Sequence, residues 1–362
     1  MRHLKRSASE GTCTIASDRH LFLIMSSTTV SKVLVLGATG YIGGEAYVRI
    51  YQKYPTFEYT AIVRSQDNVE KMRAAGAKNV ILDPDTSLST VLQEVEKSDI
   101  VLHCADADDL ELMRTILRGA KKVHERTGKR IIYIHTSGTG LVTDKATGNL
   151  TAAAKGTVYD DGKVDDICAI DVNGPHRNVD LEIFEAGKDG YVNAYIIAPA
   201  TIYGTGEGPV RRISQQIPNL VRAMLKRGRG FYVGEGTNVW PGVHIRDMGE
   251  LYALVLTKAL SEDAVANKED PFERFYWAAN SEFCYGDVEK QIAQQLVKKG
   301  RIPDGLDNIS YEELIALNPG LSSVAKNSRC RGTRGQAIGW KPKSKSVFET
   351  LEEDVDFTLE QL

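Results

Sequence analysis

From Lys32 onward, short continuous apolar runs alternate with stretches in which apolar residues recur every three to four positions. Val33-Leu34-Val35-Leu36 has no polar face, as a strand buried on both sides requires, and it ends on Gly37. Ile42 to Tyr54 then reads as a helix stopped by Pro55. The alternation repeats: strand Tyr59–Val63, helix Val69–Ala75 closed by Gly76, strand Asn79–Leu82, helix Leu88–Lys97. It continues with strand Ile100–His103, a helix from about Leu110 to Arg126 ending at Gly128, and strand Arg130–His135. Strands and helices joined this tightly predict an α/β fold, a doubly wound parallel sheet of the Rossmann type.

Past the fifth strand the pattern loosens. Leu141 to Asn173 is polar and weakly patterned, and reads as a long loop near the carboxyl edge of the sheet. Gly174 to Ala186 is expected to be helical, with Pro175 in its first turn and Gly187 just past its end. Tyr191 to Ala198 predicts a sixth strand. Gly- and Pro-rich turns, a basic amphipathic helix over Ile213–Arg227 and a hairpin around Gly230 to Gly236 follow. Phe275 to Ala279 reads as a further strand, and the chain from Tyr285 as helical and polar. The expected division is an N-terminal extension (1–28), a dinucleotide-binding domain (30–205, rejoined by 240–282), and a smaller mixed substrate cap (206–239 and 283–362).

Composition narrows the function. A net charge of −3 over 362 residues gives no electrostatic reason to expect nucleic acid or a membrane surface as partner. No apolar run approaches the roughly 20 residues that span a bilayer. Cys13, Cys104, Cys168, Cys284 and Cys330 are scattered, odd in number and never at metal-ligand spacing, which points to a reducing, cytoplasmic setting and no metal. Cys104 reads as a buried small hydrophobe. The first 28 residues are acid-poor and rich in Ser, Thr and basic residues. They read as a disordered extension, with Met25 a candidate initiator, or alternatively as a transit peptide.

The chemistry begins at Gly37-Ala38-Thr39-Gly40-Tyr41-Ile42-Gly43, set between a strand and a helix. In that position Gly37 permits a tight turn, Gly40 lets backbone approach a pyrophosphate, and Gly43 lets the helix sit close on the sheet. The N–H groups opening the helix suit phosphates. Roughly 20 residues on, an NAD-selective site places an acid on the adenosine ribose. Here strand two runs into Val63-Arg64-Ser65, and a guanidinium suits the 2′-phosphate of NADP, with NAD the alternative. Asp83, after strand three, is placed to meet the adenine.

These residues resemble the short-chain dehydrogenase/reductase superfamily, in its extended and atypical branches. Those branches include nucleotide-sugar epimerases, carbonyl reductases of the flavonoid-reductase kind and nitrogen-metabolite-repression regulators. The resemblance runs from about Lys32 to Leu260. It rests on the glycine turn, on Ile134-His-Thr-Ser-Gly138, on Pro199-Ala-Thr-Ile-Tyr-Gly204, and on Val243-His-Ile-Arg-Asp247. It implies a nicotinamide near Ala105, Asp106, Ser137 and Pro199, and a small-molecule substrate under the cap. Arg211, Arg212, Gln215, Trp240 and Arg246 are the polar and aromatic groups available there.

The superfamily's chemistry needs a Tyr, a Lys four residues on and a Ser or Thr beside the carbonyl. Ser137, Tyr159 and Lys163 are the candidates, since Tyr159-Asp-Asp-Gly-Lys163 matches the spacing. Its setting matches poorly, because Gly162 interrupts it and no helical periodicity surrounds it. The helix expected to carry such a pair offers Val172 and His176 instead, and His176 could supply a cation or proton donor near the ribose. Two functions therefore compete: an NADP-dependent oxidoreductase or epimerase-like enzyme, and a non-catalytic NADP-binding sensor that presents a surface to a protein partner. A homodimer is the assembly considered for either.

Overall fold

The computed structural model describes residues 31–262 and 270–362. The extension expected over residues 1–28 lies outside them. The first half of the chain alternates strand and helix: β1 (Lys32–Leu36), α1 (Tyr41–Lys53), β2 (Glu58–Val63), α2 (Gln66–Ala74), β3 (Asn79–Leu82), α3 (Leu88–Val95), β4 (Ile100–His103), α4 (Leu110–Thr127) and β5 (Ile131–Thr136). These boundaries fall within a few residues of those read from the apolar pattern. Gly76 and Gly128, at φ +94° and +71°, follow α2 and α4 in the left-handed conformation that glycine adopts freely.

The stretch expected as one long loop contains short elements, α5 (Ala152–Gly156), β6 (Tyr159–Asp160) and α6 (Val164–Cys168). After it come α7 (Arg177–Lys188), β7 (Val192–Pro199), β8 (Thr201–Tyr203), α8 (Gln216–Arg227), β9 (Gly230–Val233), β10 (Val239–His244) and α9 (Ile245–Glu262). The last part holds β11 (Phe275–Ala278), β12 (Ser281–Cys284), α10 (Tyr285–Lys298), β13 (Leu306–Ile309), α11 (Tyr311–Leu317), β14 (Cys330–Arg331), α12 (Thr333–Ala337) and α13 (Val347–Glu360).

Seven strands form one sheet in the order β11-β7-β5-β4-β1-β2-β3. Each neighbouring pair in it is parallel. Strand order reverses at β1, which lies between β2 and β4. The crevice at the carboxyl ends of β1 and β4 is therefore the switch point where such sheets bind ligands. A main core formed by this sheet and its helices includes Val35, Leu102, Ile134, Tyr252 and Trp277. A second core gathers Ile217, Leu220, Phe231, Trp240, Tyr285 and Leu351.

Two local expectations need correction. α7 begins at Arg177, because His176 at φ +65° turns the chain out of helical geometry, so Gly174 and Pro175 form a bend before it. Gly187 stays inside the helix, and Gly190 at φ +80° is the left-handed residue after it. The segment from Gly230 is no hairpin either. β9 pairs in parallel with β13, Gly230 opposite Leu306 and Val233 opposite Ile309.

Candidate functional site

The glycine turn is fixed by backbone packing. A Cβ on Gly37 would lie 2.4 Å from the Cys104 carbonyl oxygen, and one on Gly43 2.3 Å from that of Gly37. Gly37 also sits at φ +82°. Gly40 caps the start of α1 with no side-chain hydrogen bond, and the helix has no acid in its first turn. Its leading N–H groups and the positive end of its dipole are thus free to meet an anion.

Beside this turn runs a groove of about 770 Å³, walled by Gly37, Thr39 and Gly40, by Arg64 and Asn68, and by Asp85 and Thr86 across from them. Ala105, Asp106 and Asp109 line its other side, and Arg211 leans in from the segment before α8. The exposed Arg64 sits at the end of β2, as the sequence placed it. Asp83 turns away: its carboxylate accepts from Ser87 N (3.0 Å) and Ser87 Oγ (2.6 Å). Those hydrogen bonds, with one from Thr90, hold its pKa below the ordinary carboxylate value. It braces the turn that brings Asp85 and Thr86 to the groove. A dinucleotide fits this set: unfilled helix N–H groups for phosphates, a cation at the ribose end and apolar Ile62, Val63 and Leu88 between.

A second cleft of about 540 Å³ continues past the turn, sharing Gly40, Cys104, Ala105 and Arg211 with the groove. Tyr41, Ile42, His176, Ala200, Ile202 and Gln215 complete much of its wall. The Tyr41 hydroxyl donates to the Gly204 carbonyl, and burial pushes its pKa well up. Burial also pushes the Cys104 thiol to about 11. The half-buried His176 holds Asp108 Oδ1 with Nδ1 at 2.7 Å. Its ring covers Gly138 and Gly140, where added Cβ atoms would each stand 3.2 Å from Nε2.

The three residues expected to catalyse lie elsewhere. Ser137 is buried and its Oγ donates to Asp180 Oδ2 at 2.8 Å. Tyr159 is in β6, paired with Cys330, while Lys163 is exposed at the start of α6. The pair shares no helical face, because Gly162 and the Asp160 turn separate strand from helix. Asp161, between them, accepts from Trp277 N, which ties this segment to edge strand β11. Pro199 ends β7 opposite Ala278, and the cleft wall next to it comes from Ala200 and Ile202.

The carboxyl ends of β4 and β5 hold a buried polar cluster. His103 Nδ1 meets Tyr133 Oη at 2.9 Å and His135 Nδ1 at 3.1 Å, with Asp180 and Ser137 beside them. Burial lowers His103 to about 4 and His135 well below its usual value, so both are neutral at neutral pH.

The Val243–Asp247 signature has a structural job. Asp247 accepts from Lys343 N (3.1 Å) and Ser344 N (3.0 Å), and its carbonyl from Trp340 Nε1 (2.7 Å). The His244 ring occupies the space a side chain at Gly204 would need. Of the cap candidates, Arg211, Arg212 and Gln215 line a third, basic cavity of about 490 Å³. Trp240 is buried in the second core, and Arg246 pairs with Glu207. Among the described residues no cluster of metal ligands occurs, and no helix is long and apolar enough to cross a membrane. Asp85 and Asp108 carried no signal in the sequence, because turn residues have no periodicity to mark which way they face, and Asn68 is a polar position in the first turn of α2 that nothing local aims at the groove.

Residues 37–167 match the NAD(P)H-binding family model, and residues 179–267 match the NAD dependent epimerase/dehydratase family. Two such matches in succession on one Rossmann scaffold bear out the resemblance to the extended short-chain dehydrogenase/reductase superfamily. In particular, the chain is similar to the oxidase ucsJ of Acremonium sp., at 26% identity over 91% of this chain and 98% of that protein. It is equally similar, at 26% identity, to an uncharacterized protein of Schizosaccharomyces pombe, over 90% of this chain and all of that one. Among solved structures, dTDP-glucose 4,6-dehydratase from Streptomyces venezuelae with NAD and TYD bound superposes with TM-score 0.62, at 17% identity over 91% of this chain and 97% of that one. UDP-glucuronic acid 4-epimerase from Bacillus cereus, with UDP-glucuronic acid and NAD, gives 0.59 at 14% identity, covering 91% of this chain and 100% of its own. At such identities these structures share the fold.

Proposed function

We propose that the protein is an NADP-dependent oxidoreductase that acts on a small carbonyl or hydroxyl compound held between the glycine turn and the segment leading into α8. The observation that carries this reading is one continuous depression. It runs from Arg64 past the glycine turn to the cleft that holds His176. When bound, the dinucleotide supplies or accepts a hydride at its nicotinamide ring. The chain's own part is to hold the phosphates on α1, the 2′-phosphate at Arg64 and the substrate beneath Ile202 and Gln215. The described cysteines are free thiols, which suits a reducing, cytoplasmic setting.

Calorimetric titration of the wild type and of Arg64→Ala with NADPH and NADH tests the cofactor assignment. One charge-assisted contact at an exposed site contributes about 1.4 kcal/mol, so NADPH should bind about tenfold tighter than NADH, and Arg64→Ala should erase the difference. Equal affinities in the wild type would sink the NADP assignment.

A sensor that binds the dinucleotide without turning it over is the second reading. It is favoured by Ser137 being committed to Asp180 and by the separation of Tyr159 and Lys163 from the cleft. Oxidation of NADPH with a defined carbonyl would decide for the enzyme.

A further inference from the structure

Three groups in the cleft wall could exchange a proton: Tyr41, Cys104 and His176. Tyr41 is bonded to a carbonyl and burial holds its proton on, and Cys104 is likewise kept as a thiol by burial. Imidazole is the side chain whose ordinary titration lies near neutrality. We infer that His176, oriented by Asp108, is the proton-transfer group of this cleft and takes the role for which Tyr159 and Lys163 are misplaced. The inference rests on the function proposed above.

Three features support it. Nδ1 is bound by the Asp108 carboxylate, and no hydrogen-bond partner for Nε2 occurs among the described residues. An imidazole held at one nitrogen by a carboxylate and open at the other is arranged to give and take a proton at the open one. The ring lies over Gly138 and Gly140, where any side chain would crowd Nε2. His176 also keeps a left-handed backbone at φ +65°, a conformation unfavourable for a non-glycine residue and one that collects at functional sites.

The step balances for a carbonyl substrate. The carbonyl carbon gains a hydride, with both its electrons, from the reduced nicotinamide. The C=O π pair moves onto oxygen, and oxygen takes the proton from Nε2 of the imidazolium. An alcohol, the oxidised dinucleotide and a neutral imidazole result, and the imidazole regains its proton from water. Oxidation of an alcohol runs the same path in reverse.

The test uses the full chain, NADPH, and 4-nitrobenzaldehyde and methylglyoxal as probe carbonyls. His176→Gln should bind NADPH by calorimetry as the wild type does while losing about 10²–10⁴-fold in kcat. His176→Gly, whose backbone suits a positive φ, should lose as much and regain turnover when free imidazole is added. A residue needed only for packing would not be rescued that way. Independently of turnover, NADPH should protect His176 from carbethoxylation by diethylpyrocarbonate, read by peptide mass spectrometry, and leave the reactivity of the partly exposed His124, on α4 outside both clefts, unchanged.

Wild-type kcat in His176→Gln would overturn the inference. So would equal modification of His176 with and without NADPH, or a wild type that binds NADPH yet reduces neither probe. Failure of the wild type to bind NADPH at all is a separate result, and it would remove the proposed function itself.

Discussion

Replacing Asp180 by Asn should change how the stability of the protein depends on pH. Asp180 is fully buried, and burial raises its pKa from 3.8 to about 7 against the opposing help of Ser137 and Arg177. Between those two values the folded protein holds a proton that the unfolded chain has lost. Raising the pH through this window therefore weakens the fold, and the penalty is complete above about pH 7. A difference of about three pKa units amounts to about 4 kcal/mol. In Asp180→Asn the oxygen facing Ser137 can remain an acceptor, but the new NH2 replaces Oδ1, which has no partner and lies 3.9 Å from His135 Nε2. That unsatisfied donor costs about 1–3 kcal/mol at every pH. The offset is constant, so the informative quantity is the slope. Urea unfolding of both proteins from about pH 4 to about pH 8 should show Asp180→Asn gaining about 4 kcal/mol relative to the wild type across the range. Asp161, Asp354 and Glu289 are also raised by burial, to about 7, 7 and 8, but both proteins share them and they cancel in the difference. A difference that stays flat with pH would refute the reasoning.

Two other outcomes follow from the placement of residues. Tyr159→Phe combined with Lys163→Met should leave NADPH oxidation within about twofold of the wild type, because general acid–base groups at the reacting atoms cost 10²-fold or more when removed. A larger loss in steady-state assays would return the pair to the reaction. Asp247→Ala strips the acceptor from Lys343 N and Ser344 N and should destabilise the protein by about 2–4 kcal/mol in urea unfolding, with NADPH affinity unchanged in the folded fraction.

Much of the sheet half was legible in sequence because its inner strands are buried on both faces and its helices have one apolar side. Arg64 was legible for a similar reason: its position at a strand end follows from where Val63 stops. Local pattern failed where the determining partner is remote. Val233 pairs with Ile309, and nothing between Gly230 and Gly236 distinguishes such a strand from half of a hairpin. Ser137 looked catalytic by position, but Asp180, one helix away, captures its hydroxyl. The Tyr159–Lys163 spacing was real and its helix was not. His176 was visible as a departure from the pattern, yet its φ, its glycine bed and Asp108 emerge only when residues 108, 138, 140 and 176 converge.

The sheet order also describes a building sequence. β2 and β3 complete one wing beside β1, and every later strand (β4, β5, β7, β11) adds to the opposite edge in the order in which synthesis delivers it. At each stage of N-to-C assembly the newest strand is the open edge on that side, so an exposed template is carried forward there until β11 arrives. β11 is then covered by the β6 and β14 segment, through Asp161 to Trp277 and through Gly332 against the Trp277 carbonyl. Trp340 comes later still, and it lodges in the main core with its indole N–H on Asp247. The half of the molecule that reads first in sequence is thus the last to be closed, and a ribosome-bound chain stalled before residue 340 should present the sheet without its final plug.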